Sequence, residues 1–219
     1  MVMMGFGVPN TADYRLRRGI WMAKTVDFYF TPPSPWTYLA GPRFKALAQR
    51  NSLVVNWKPF DLFAAFALTG QKKVKERPPR IQANRLTELK RWGAFLNMKI
   101  NLQPRHFPPD PVPSHKMIIA AIRTGEDITG LANAYMSACW AEERDIGDTD
   151  TVKDIANEQG FDGTALLETS GSAEIQKTLD QNTEEAISRN VFGAPTWIYQ
   201  GELFWGQDRL DFLTRAVEK

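Results

Sequence analysis

The chain has 219 residues, 43 % hydrophobic and 24 % charged, a balance that builds one large globular domain or two small ones and argues against disorder. Lys and Arg total 27 against 25 Asp and Glu, a net charge of +2, too small a basic excess for a protein held to nucleic acid by phosphate contacts. The single cysteine, Cys139, excludes an intrachain disulfide, a CxxC redox centre and a multi-cysteine zinc site. With only His106 and His115 as histidines, no metal site is expected. No apolar run reaches the length of a membrane-spanning helix, so no membrane partner is expected either.

Residues 1–21 carry Arg15, Arg17 and Arg18, and their apolar residues have no period. They lack the apolar core of a secretory signal, and Met22 is a natural start for the folded part. The expectation is a disordered extension over 1–24 and a cytoplasmic protein. Val26 to Phe30 is β-branched and aromatic and reads as a strand. Thr31-Pro32-Pro33 breaks it, and Ser34-Pro35 has helix-start chemistry, serine as N-cap and proline at the first helical position. Trp36, Leu39, Ala40, Phe44, Leu47 and Ala48 follow at helical spacing. Leu53 to Trp57 reads as a second strand, parallel to the first because a helix joins them.

From Asp61 to about Asn190 the pattern is helical. A helix is read over Arg80 to Leu96, a proline-rich loop over Pro104 to Pro113, and a helix whose buried face is Ile128, Leu131, Ala132, Tyr135, Cys139 and Trp140. Asp150 is read as the cap of Thr151 to Glu158, Asp162 as the cap of a short helix around Leu166, and a further helix covers Ser172 to Asn190. Thr196 to Tyr199 and Glu202 to Trp205 form a hairpin across Gln200-Gly201. A last helix, started by Gln207 or Asp208, carries Leu210, Phe212, Leu213 and Val217. The order βαβ, helices, ββα predicts an α/β thioredoxin-like fold with a large all-helical insertion. Residues 25–60 and 191–219 form the frame and 61–190 the inserted subdomain.

Three places could carry chemistry. Ser34 follows a strand at a helix N-terminus, where free N–H groups and the helix dipole favour negative charge. A hydroxyl there can donate to an incoming thiolate and lower its pKa. In a thioredoxin frame this turn holds the redox pair. Here it reads Ser34-Pro35-Trp36-Thr37, hydroxyls in both cysteine places, so thiol–disulfide exchange is not available. Taken alone, Ser34 reads more readily as a plain cap. Gly193-Ala194-Pro195-Thr196 precedes a strand; with a cis Ala194–Pro195 bond, the Ala194 backbone could pair with a peptide ligand as an added strand. Taken alone, it is a strand-entry proline. Gly206, Gln207 and Asp208 lie where a strand runs into a helix, and could hold a carboxylate on backbone N–H groups and an ammonium on Asp208. A simple helix cap is an equal reading there.

Phe28-Tyr29-Phe30 followed by Ser34-Pro35 and Tyr38-Leu39, Gly193-Ala194-Pro195-Thr196, and Phe204-Trp205-Gly206-Gln207-Asp208-Arg209-Leu210 together resemble the 2-hydroxychromene-2-carboxylate isomerase family. That family is related to kappa-class glutathione transferases and DsbA-type oxidoreductases. Lys90-Arg91-Trp92, and Ala138-Cys139-Trp140 followed by Asp145-Ile146, resemble family segments too, and the match runs from about Thr25 to the C-terminus. The resemblance implies a homodimer that binds glutathione and a small aromatic acid. In it Ser34 activates the glutathione sulfur, Ala194 and Pro195 present the pairing backbone, and Gly206, Gln207 and Asp208 hold the γ-glutamyl end. The cofactor supplies the nucleophile, so no cysteine is needed. Where family isomerases carry a substrate-facing Lys and Asn, this chain reads Phe63-Ala64-Ala65-Phe66 and then Gln71-Lys72-Lys73-Val74-Lys75-Glu76-Arg77-Pro78-Pro79, with Asn84 displaced.

Trp36, Phe63 and Phe66 are candidates for an aromatic substrate pocket, a core role being an equal reading for Phe63 and Phe66. Cys139 is read as a buried small hydrophobe, His106 and His115 as surface or capping residues, and Trp57, Trp92, Trp140 and Trp197 as core. The lysine run 72–75 is read as a solvated face, with attraction of an acidic substrate as the other reading. The expected activity is a glutathione-dependent isomerase of an aromatic conjugated acid. A kappa-like glutathione transferase and a non-catalytic thioredoxin-frame binding module are the other two readings.

Overall fold

In the computed structural model, which describes residues 23–219, Thr25–Phe30 forms β1, Pro35–Arg50 α1 and Val54–Pro59 β2. The extension expected over 1–24 falls almost wholly outside the described residues. Lys24 already joins the fold, its carbonyl accepting from the Val54 N–H at 2.9 Å. Helices α2 (Leu62–Thr69), α3 (Pro79–Phe95), α4 (Val112–Ile122), α5 (Thr129–Ala141), α6 (Thr149–Glu158), α7 (Gly163–Ser170) and α8 (Ala173–Ser188) follow. The chain closes with β3 (Thr196–Tyr199), β4 (Glu202–Trp205) and α9 (Leu210–Val217). The sheet order is β2-β1-β3-β4, with β1 parallel to β2 and antiparallel to β3, and β3 antiparallel to β4. This is the thioredoxin-like fold with a helical insertion that the element order predicts.

The alternation along β1 divides the core. Val26, Phe28 and Phe30 enter one cluster and Tyr29 the other, as a strand's period of two requires. Phe28 sits within 4.8–5.3 Å, centroid to centroid, of Phe30, Phe44, Trp57 and Trp197. The same cluster takes in Met117 and Ile118 of α4 and Leu131 and Tyr135 of α5, so the inserted helices share one core with the sheet. On the opposite face Tyr29 packs with Phe60, Ala65, Ala186 and Ile198. There the Tyr29 hydroxyl donates to Glu185 at 2.7 Å, and Arg189 pairs with Asp27 at 2.6 Å.

Several expectations about the helices change in detail. The cap of α6 is Asp148, not Asp150: Asp148 has the extended backbone of an N-cap and accepts from the Thr151 N–H at 2.9 Å, while Asp150 pairs with Lys153. Asp162 and Ser172 cap α7 and α8. Strand β2 begins at Val54 and runs on to Pro59, because its parallel register with β1 continues to Phe30 and a terminal proline loses no needed N–H. The proline-rich loop ends earlier than Pro113, which lies in the first turn of α4. Neither Gln207 nor Asp208 caps α9 with its side chain: a 3-10 turn over Gln207–Arg209 leads in, from Gly206 at φ +102°. Phe212 is exposed on α9, while Leu210, Leu213 and Val217 are buried.

Candidate active site

The first turn of α1 opens into a cavity of about 700 Å³, a size suited to a small organic ligand. Ser34 lies at its base and is 6 % exposed. As the N-cap, Ser34 Oγ accepts from the Thr37 N–H at 3.3 Å, and its own proton goes to the Ala194 carbonyl at 3.1 Å. The Ala194–Pro195 bond is cis, and Ala194 also lines the cavity. Among the described residues neither the Ala194 N–H nor the Trp36 N–H is paired with an acceptor. The backbone at this end of α1 therefore offers free donors beside a hydroxyl.

Gly193 makes the approach possible. A Cβ there would stand 2.1 Å from Trp205 Nε1, so only glycine lets the Trp205 indole lie across the entry to β3. Trp205 and Gly193 both line the cavity. Trp36 lines it from α1, and Phe63 and Phe66 from α2, their rings 6.1 Å apart in edge-on contact. The sequence-based pocket of Trp36, Phe63 and Phe66 thus comes together around Ser34.

The opposite wall was not expected. Phe107, Pro108, Pro109 and Pro111 supply it from the loop before α4, and Arg85 reaches in from α3. Only tertiary packing brings that loop to Ser34, and no local pattern announces it. Arg85 carried a signal: it falls on the same helical face as Leu89 and Trp92, both packed in the core, where a cation is out of place. The lysine run 72–75 contributes as well, through Lys73 and Lys75, and Arg77 just beyond it lines the cavity too. Lys73 Nζ stands 4.7 Å from the Phe63 ring centroid and the Arg77 guanidinium 5.8 Å from that of Phe66. Asn84 is exposed and does not reach the cavity. The result is an aromatic chamber lined by Lys73, Lys75, Arg77 and Arg85 against Asp61, Glu76 and Asp110, a small cationic excess that suits an aromatic anion.

Gly206, Gln207 and Asp208 do not line the cavity. The Gly206 N–H donates to the Pro195 carbonyl at 2.9 Å. Gln207 is buried, with Arg43 of α1 hydrogen-bonded to both its side-chain and its backbone oxygen. The Asp208 carboxylate is more open and pairs with Arg209 at 2.6 Å. Thr37, in the second cysteine place, is fully buried with an unpaired hydroxyl. Cys139 is 3 % exposed, and burial, with Asp145 and Glu143 adding, pushes its thiol up to about 12. No group of three or more His, Cys, Asp and Glu among the described residues is arranged to hold a metal ion. Trp140 and Trp197 are fully buried, and Trp57 and Trp92 pack on the core in part.

His115 is neither a surface nor a capping residue. It is 1 % exposed on the inner face of α4, and its Nε2 is 2.8 Å from Thr31 Oγ1. Thr31 is buried, lines the cavity and accepts the Ser34 N–H on its carbonyl at 3.0 Å, so His115 braces the turn that carries Ser34. Burial lowers the His115 pKa to about 3. The unfolded chain, with its histidine near 6.5, then binds more protons than the native state between pH 6.5 and 3. Stability is therefore full above about pH 6.5 and falls as the pH drops, by up to about 1.4 kcal/mol per pH unit from this group. Urea denaturation of wild type and His115→Gln from pH 7 to pH 4 checks this. The wild-type curve is expected to fall more steeply, and parallel curves would refute the assignment.

With the geometry in place, comparison with known proteins is decisive at the level of family. A family model described as a DSBA-like thioredoxin domain matches residues 25–218. The chain belongs to that family. Among curated relatives of this DsbA-like chain, a 2-hydroxychromene-2-carboxylate isomerase of Sphingobium xenophagum is 32 % identical over 198 residues, covering 88 % of this chain and 97 % of the relative. A protein of Caenorhabditis elegans named glutathione s-transferase kappa 2 is 24 % identical, covering 89 % and 94 %. A solved structure of a 2-hydroxychromene-2-carboxylate isomerase superposes with a TM-score of 0.73 at 27 % identity, covering 89 % of this chain and 94 % of that one. The resemblance carried by the Ser34, Pro195 and Gly206 motifs holds. The relatives' names support an enzyme. No helix among the described residues is long and apolar enough to cross a membrane.

Proposed function

We propose that this protein is a glutathione-dependent cis–trans isomerase of an aromatic conjugated acid of the 2-hydroxychromene-2-carboxylate kind. One observation carries the reading: a serine hydroxyl, with no cysteine beside it, sits at a helix N-terminus in the floor of an aromatic, cation-edged cavity. The curated relatives named as isomerases and as a kappa transferase support the same reading.

The residues present fit glutathione. The unpaired Ala194 and Trp36 N–H groups are donors in want of an acceptor, Ser34 lines the same cavity, and the open Asp208 carboxylate can take an ammonium group beside Arg209. Ser34 and the α1 N-terminus would hold the sulfur, Ala194 the peptide backbone, and the Asp208 carboxylate, beyond the cavity's edge, the ammonium of the γ-glutamyl end. When bound, glutathione supplies a thiol nucleophile that adds reversibly to the conjugated acid and leaves unchanged. The protein's part is electrostatic and steric. The Ser34 proton, now given to the Ala194 carbonyl, turns toward negative charge at the end of α1, and the dipole of that 16-residue helix acts in the same sense. Trp36, Phe63, Phe66 and Phe107 exclude water and orient a flat ring. A homodimer, implied by the isomerase resemblance, and a cytoplasmic location belong to this reading.

Calorimetric titration with glutathione tests it, followed by turnover of a 2-hydroxychromene-2-carboxylate with the thiol counted before and after. Binding together with turnover that consumes no thiol is expected. Stoichiometric loss of thiol would instead make the protein a transferase. No binding at millimolar glutathione would overturn both and leave a binding module on a thioredoxin frame.

A further inference from the structure

Arg85 is a cation without a partner. It lines the cavity from α3 and is half-buried, yet none of its guanidinium N–H groups meets an acceptor and no carboxylate lies within ion-pair distance among the described residues. Its contacts are aromatic: the guanidinium carbon is 5.3 Å from the Phe107 ring centroid and 5.6 Å from that of Trp140. The cavity's acidic residues take backbone donors rather than Arg85. Asp61 accepts from the Phe63 and Ala64 N–H groups, Glu76 from the Lys73 N–H and Asp110 from the Val112 N–H.

Burial without a partner is costly for a cation. It lowers the Arg85 pKa to about 10, and the neighbouring charge that adds to this is Arg77, of the same sign. A residue kept only for packing against Phe107 and Trp140 would do better as Leu or Met. The rings hold the planar fork and leave its donors open, the arrangement that takes a carboxylate on two parallel N–H···O bonds. The other cavity cations are placed differently: Lys73 and Lys75 are exposed, and Arg77 donates to the Lys72 carbonyl.

We propose that Arg85 is the specificity-determining residue that binds the carboxylate of the aromatic ligand, with the ring held among Trp36, Phe63, Phe66 and Phe107. This deepens the proposed function, and rests on it for the ligand's class. The site then selects aromatic acids over their neutral counterparts by leaving a buried guanidinium unpaired when the carboxylate is missing.

The test is calorimetric titration of wild type, Arg85→Met and Arg85→Lys with cinnamate, with its neutral counterpart cinnamamide, and with glutathione. Wild type is expected to prefer cinnamate over cinnamamide. Arg85→Met should weaken cinnamate by about 10- to 100-fold, the loss of a charge-assisted pair, and leave cinnamamide and glutathione within about twofold. Arg85→Lys, which keeps the charge and loses the fork, should weaken cinnamate less and serves if the methionine variant does not fold. Wild type that does not separate acid from amide, or an Arg85 variant that binds cinnamate as wild type does, overturns the proposal. Wild type that binds no glutathione but loses its preference for the acid with Arg85 overturns the cofactor reading alone and supports the role of Arg85.

Discussion

Ser34→Ala is expected to lower glutathione-dependent turnover by about 10- to 100-fold at pH 7, and to move the alkaline-rising limb of the pH–rate profile up by about one to two pH units. The hydroxyl is the side-chain donor at the end of α1 that faces the cavity, and a hydrogen bond to a charged group stabilises it by about 1.5–3 kcal/mol. Removing it raises the pKa of the bound thiol, so less thiolate exists at neutral pH and the deficit closes as the pH rises past the new midpoint. A separate effect is expected on folding. Ser34 Oγ also accepts from the Thr37 N–H, and losing an N-cap costs about 1 kcal/mol. The two are separable, because a lost cap lowers the unfolding midpoint without displacing the pH profile. Ser34→Thr, which keeps a hydroxyl, should restore much of the rate. A uniformly reduced rate with an unmoved midpoint would mean that Ser34 does not act on the sulfur.

Phe28→Ala is expected to give the largest loss of stability, about 3–5 kcal/mol. Phe28 is 1 % exposed on the inner strand β1 and touches four other aromatic rings, one on β1 itself and one each from β2, β3 and α1. Those rings belong to a sheet, a helix and each other, so they cannot close over the vacancy without shifting β1, and the cavity term adds to the lost transfer energy. Against a typical total of about 5–15 kcal/mol, the loss is about a fifth or more. Urea denaturation should show a large fall in midpoint at unchanged slope. A loss under about 1 kcal/mol would show that the aromatic cluster repacks freely.

The parts legible in the sequence are those whose chemistry is local. Ser34-Pro35 announces the start of α1, alternation announces β1, and Gln200-Gly201 announces the hairpin; each rests on neighbours within a few residues. The parts that were not legible depend on partners far along the chain. Phe107 to Pro111 reads only as a proline-rich break until packing sets it opposite Ser34. His115 lacks metal-ligand neighbours, which drew attention outward, whereas its spacing to Ile118 and Ile119 on one face of α4 marks it as interior. Asp148 and Asp150 compete for one helix start, and backbone dihedrals rather than composition decide between them. Gln207 sits in a motif that suggests ligand contact, but Arg43, 164 positions away in sequence, draws it inward.

The cavity is assembled from two kinds of material. Its floor comes from the turns that end β1 and precede β3, while most of its walls come from residues 61–111. On the proposed function, such a chain separates what reacts from what is recognised. The segment between β2 and α4 can be rewritten among relatives to admit a different guest while the floor stays fixed, so descent within this lineage can diversify substrates faster than it diversifies reactions.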